Sequence, residues 1–143
     1  MTEIKTEMVA ALDELLEAER AGTRVALASA KGVAADSALG VLIHAIHHDE
    51  ARWCAMLSGE ITRLGATPSP RCGAFFGKAM AIDDLEARLT FLNRGQNWVV
   101  RKLDALMPLA VDPALHAHLA DMRASHVDNI ERTARTLAAL PDD

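Results

Sequence analysis

Apolar residues recur along this chain at alternating spacings of three and four, the period of a helix with one buried face. Four such stripes are present. The first runs over about Thr2 to Ala30 through Ile4, Met8, Leu12, Leu15, Gly22 and Ala26, and Lys31-Gly32 stops it. The second starts at Asp36 or Ser37 as N-cap, carries Leu39, Ile43, Ile46, Trp53, Leu57 and Leu64, and ends near Leu64-Gly65. The third opens with Asp83 and Glu86 in capping-box spacing and follows Leu85, Leu89, Leu92, Val99, Leu103 and Leu106 to Pro108. Asp112-Pro113 restarts the chain as N-cap and first helical residue. The fourth stripe is Leu115, Leu119, Met122, Ile130, Thr133, Leu137 and Leu140.

Between the second and third stripes, from about residue 65 to 82, the pattern fails among Gly, Pro and Ser. That connection is too long for a hairpin between packed helices. It suffices to cross the length of a bundle, with Phe75 and Phe76 anchoring the crossing. Short, long, short connections predict two antiparallel hairpins joined by one crossover, an all-α four-helix bundle formed by residues 1–143 as one domain.

Each stripe is broken once, near mid-helix, by a polar residue: Glu19, Glu50, Gln96 and His126. Mid-helix positions share a level in a bundle whichever way each helix points, so the four are expected in one core layer. Two carboxylates buried together cost several kcal/mol unless a cation or a shared proton intervenes. Carboxylate, imidazole and amide ligands suit iron, manganese or zinc. His47, three residues before Glu50, shares its helix face and joins the candidate metal ligands. Asn129, one turn beyond His126, is a candidate weak ligand or supporting donor. His44, His48, His116 and His118 read as solvated, and Glu14 and Glu17 as surface charge. Gly22 and Gly95, beside the layer, point to close approach near it.

Composition narrows the picture. Half of the 143 residues are hydrophobic, with three Phe, two Trp and no Tyr, which fits helices better than sheets. The net charge of −5 and the lack of a basic stripe argue against a nucleic-acid partner. No apolar run approaches the length that spans a bilayer. The charged start of the chain lacks a signal-peptide pattern, so a cytoplasmic protein with Cys54 and Cys72 reduced is expected. No nucleophile–base arrangement or phosphate loop is recognisable, and catalytic residues and substrate stay unknown.

The segment Leu12-Asp-Glu-Leu-Leu-Glu-Ala-Glu19-Arg-Ala and the segment Asp49-Glu50-Ala-Arg-Trp53, with the stretch to Leu64-Gly-Ala-Thr-Pro68, resemble the ferritin-like superfamily, which includes rubrerythrins and bacterioferritins. The family's dinuclear site takes a Glu from each of two helices and Glu-x-x-His from each of the other two. Glu19 and Glu50 match that pattern. Trp53 stands in place of the second-helix histidine, Gln96 in place of the third-helix glutamate, and His126-Val-Asp-Asn129 in place of Glu-x-x-His. The resemblance therefore implies a reduced site: one metal held by Glu19, Glu50 and His126, with His47 or Gln96 contributing. It also implies a homodimer, as such bundles often pair along their faces. The alternative is a metal-free helical interaction module whose polar layer is a hydrogen-bond network, with His126 charged between the two glutamates.

Overall fold

A computed structural model describes residues 2–141. Helix α1 spans Thr2–Ser29, α2 Ala38–Arg63, α3 Phe75–Met80, α4 Leu85–Leu106 and α5 Pro113–Ala138, with a 3₁₀ turn at Met107–Leu109. Helices are the only regular structure among the described residues. The all-α bundle expected from the stripes is therefore present, and none of its helices is long and apolar enough to cross a membrane.

The helix ends follow local chemistry. Ser37 caps α2 by accepting from the Gly40 N–H, and Asp112 caps α5 by accepting from the Leu115 N–H. Gly32 and Gly65 take the left-handed conformation after α1 and α2, at φ 79° and 86°. The cap of α4 is one residue later than the capping-box spacing predicts: Asp84, not Asp83, accepts from the Ala87 N–H at 2.8 Å.

Adjacent sides of the bundle are formed by α1 with α2, α2 with α5, α5 with α4, and α4 with α1. Its core divides at the polar layer. One apolar cluster gathers Leu12, Leu16, Leu57, Leu103 and Leu119, and the other gathers Val25, Ile43, Ile46, Leu89 and Leu92. The inward stripes agree with the 3.6-residue period except at their ends. Ile4 is 70 % exposed, among the exposed residues that open α1. In α5 the inward position after His126 is Asn129, with Ile130 only half-buried.

The connection after α2 is a strap along α1. Asp13 accepts from the Ser69 N–H at 2.8 Å and Glu17 accepts from the Ser69 hydroxyl at 2.8 Å. Arg20 donates to the Arg71 carbonyl, and Arg24 donates to Cys72 Sγ at 3.2 Å. Positions 13, 17, 20 and 24 lie on one face of α1, so the strap descends with it and delivers the chain to the start of α4. The strap is not structureless, as its breakers imply, because α3 forms within it. Phe75 at its start stacks on Phe91 with ring centroids 5.0 Å apart, so the expected aromatic anchor is there.

Candidate metal centre

Each helix brings one polar side chain to mid-bundle: Glu19 from α1, Glu50 from α2, Gln96 from α4 and His126 from α5. Their exposures are 1 %, 3 %, 2 % and 1 %. Glu19, Glu50 and His126 each point one donor atom into a common space where all three atoms lie within 4.8 Å of one another. Ligand atoms about 2.1 Å from one ion are at most about 4.2 Å apart. Small side-chain rotations therefore bring these three donors to bonding distance of a single ion.

The imidazole is oriented from behind. Its Nδ1–H donates to the Met122 carbonyl at 2.9 Å, one turn back along α5. That bond leaves Nε2 to face the carboxylates, as when a histidine ligand is held by its other nitrogen. Nε2 lies 2.9 Å from Glu19 Oε1, yet the pair falls outside hydrogen-bond geometry and neither atom has another partner. Glu50 Oε2 and both polar atoms of the Gln96 amide also lack partners. An unsatisfied buried polar group costs roughly 1–3 kcal/mol, so the layer is under-supplied with protons or short of a cation.

Titration follows from this crowding. Burial pushes the Glu50 carboxyl well above its ordinary range, and the neighbouring Glu19 and Asp49 carboxylates push it further. Burial alone would lower the His126 imidazole, but the adjacent Glu19 carboxylate outweighs it and holds the ring above its usual value. Without a metal the layer therefore retains protons.

Gly22 makes the site physically possible. A Cβ at this position would stand 2.6 Å from Glu50 Oε1 and 2.7 Å from its Cδ, so the carboxylate occupies the space a side chain would fill. Gly95 plays the same part for the strap, since a Cβ there would meet the Phe75 ring at 2.9 Å. Both glycines thus serve close approach, the expectation drawn from their positions beside the layer.

The other candidates disperse. His47 is half-buried and stands outside the group of three. His44, His48 and His116 are exposed. Asn129 donates to Asp49 Oδ2 at 3.0 Å, tying α5 to α2 beside the site. Trp53 is buried and donates its indole N–H to Ser125 Oγ at 3.1 Å, on the residue before His126, and is a group that binds no metal. His118 is not free in solvent: it meets buried Glu60 at 2.9 Å, and Arg63 joins Glu60 to Asp112. The sequence signal for that network was weak, an arginine three residues after a glutamate on a half-buried face.

A pocket of about 480 Å³ opens between α1, α4 and the strap, and it reaches Glu19, Glu50 and Gln96. It was not foreseen, because its walls come from three separated segments of the chain.

Residues 6–135 match the family described as Domain of unknown function (DUF6306). The chain belongs to the DUF6306 family. Comparison of this DUF6306 member with curated proteins finds no match. Among solved structures it is similar to a crystal structure described as ferritin like, diiron-carboxylate proteins from Bacillus anthracis str. Ames. The TM-score is 0.85 at 20 % sequence identity, over 96 % of this chain and 99 % of that chain. The fold of this DUF6306 member is therefore ferritin-like, as the helical segments around Glu19 and Glu50 indicated.

Proposed function

We propose that the protein binds one transition metal ion, iron, manganese or zinc, through Glu19, Glu50 and His126. The observation that carries this reading is the convergence of three ligand-type donors in a buried layer that leaves their facing atoms without hydrogen-bond partners. The description of the structurally similar bacterial protein as diiron-carboxylate supports it. Three strong donors favour one ion over two here, because the remaining places hold Gln96 and Trp53.

Each residue has a definable task in such a site. Glu19 and Glu50 supply the negative charge that offsets the cation. His126 supplies a neutral nitrogen, aimed by its bond to the Met122 carbonyl. Gln96 stands beside them with a neutral, unpartnered amide, and the pocket gives small molecules a way in. An ion bound there would supply Lewis-acid chemistry, or electron transfer if it is iron or manganese. Pairing of two copies as a homodimer is proposed from the family resemblance alone.

The 2.9 Å approach of His126 to Glu19 favours one other reading, a metal-free network in which a proton sits where the ion would. Elemental analysis of protein purified without chelator, before and after reconstitution, separates the two. The metal reading expects about one equivalent, abolished by Glu50→Gln. Less than about a tenth of an equivalent after reconstitution would leave only the network, for which Glu50→Gln changes stability modestly and nothing else.

A further inference from the structure

The pocket that reaches the polar layer has a composition of its own. Phe75, Phe91 and Trp98 give it aromatic walls, and its floor carries the Gln96 amide, 2 % exposed and without a partner for either its oxygen or its nitrogen. Its rim carries four charged residues. The two acids are already engaged, Glu14 with Lys102 at 3.3 Å and Glu17 with Ser69 at 2.8 Å. The two arginines, Arg94 and Arg101, are exposed and make no ion pair or side-chain hydrogen bond among the described residues. Arginine forks are suited to carboxylates. A volume of about 480 Å³ lies in the range of pockets that enclose small organic ligands.

We propose that this pocket binds a small aromatic carboxylate that carries a hydroxyl group at the end remote from its acid. The acid group pairs with Arg94 and Arg101 at the rim, and the ring lies against Trp98 and the stacked Phe75–Phe91 pair. The hydroxyl donates to Gln96 Oε1 and accepts from Gln96 Nε2, meeting both unsatisfied atoms with one group. Along α4, Gln96 lies between the two arginines, about 3 Å in rise from Arg94 and about 7.5 Å from Arg101, so the two long side chains flank the part of the pocket that the amide floors. The proposal deepens the metal reading by naming what reaches the ion, yet the arginines, the aromatic walls and Gln96 recognise the ligand without it.

Calorimetric titration of the full-length protein with 3-(4-hydroxyphenyl)propionate tests this, in chelator-treated and in metal-reconstituted samples. Saturable one-site binding is expected in both. The uncharged 3-(4-hydroxyphenyl)propanamide and the hydroxyl-free 3-phenylpropionate should each bind about tenfold more weakly. Arg94→Gln/Arg101→Gln should weaken the acid about tenfold and leave the amide unchanged. Arg135→Gln, at an exposed arginine on α5, should alter neither. No saturable binding at millimolar concentrations, equal affinity for acid and amide, or an unaffected double variant would overturn the proposal. Failure of the metal reading registers separately, as the lack of metal in the reconstituted sample, and leaves the titration of chelator-treated protein fully readable.

Discussion

Replacing Gly22 with alanine probes whether the space beside α1 exists for the Glu50 carboxylate. The new methyl would stand 2.6 Å from Oε1 and 2.7 Å from Cδ, so the carboxylate must retreat by about 1 Å to regain ordinary contact distance. No hydrogen bond to Glu50 Oε2 opposes that movement, since this oxygen has no partner. Overpacking of this kind costs roughly 1–3 kcal/mol, and alanine returns about 1 kcal/mol of helix propensity. The net loss is then about 0–2 kcal/mol, a fall in Tm of no more than about 8 °C. Metal binding should suffer far more, because ligand distances tolerate only about ±0.2 Å and the shift is several times that. Affinity is expected to drop at least about tenfold. Thermal melts of chelator-treated protein, paired with competitive metal titration, measure both quantities. A folded Gly22→Ala protein with wild-type metal affinity would refute the argument, since the carboxylate would then not depend on the missing side chain.

Three further outcomes follow from the same geometry. The Glu50 and His126 values are both raised in the folded chain, from 4.5 and 6.5 respectively, so the native state holds extra protons and its stability is lost as pH rises through those raised values. Chelator-treated protein should melt at progressively lower temperature as pH rises above the ordinary values of these two groups, whereas metal affinity should rise in the same direction because protons and metal compete; a Tm of the metal-free form that climbs with pH would contradict this. Burial pushes the Cys54 thiol up to about 11, while Cys72 lies on the strap at the pocket, so an alkylating reagent at pH 7.5 should modify Cys72 well before Cys54, as peptide mass spectrometry would show. Asp112→Ala removes the cap of α5 and a partner of Arg63 and should cost about 1–2 kcal/mol in urea unfolding, with metal content unchanged.

Much of the bundle could be read from one period. Leu12, Leu15, Leu89, Leu92, Leu103, Leu115 and Leu119 all lie inside, as their spacing demanded, because burial of an amphipathic helix face is a local property of sequence. The caps at Ser37 and Asp112 were equally local. Errors gathered where neighbours decide. Ile4 has the right spacing yet stays exposed at the start of α1. Asn129 takes the place the stripe assigned to Ile130 because Asp49 on another helix accepts its hydrogen bond. Residues Phe75–Met80 form a helix despite their glycine, with Phe75 and Ala79 packed against the bundle.

The polar layer shows the same division. By itself the sequence determined that Glu19, Glu50, Gln96 and His126 interrupt apolar stripes at mid-helix and must therefore be buried, since helical periodicity leaves them no other face. The order in which four helices surround the axis is a property of packing, and only the tertiary structure decided which donors converge. It joined Glu19, Glu50 and His126, and it left His47 outside their group. It opened a pocket to Gln96 by laying the strap and α4 beside α1. Those placements depend on contacts between residues dozens of positions apart, such as Gly22 against Glu50 and Phe75 against Gly95, for which spacing along one helix carries no signal.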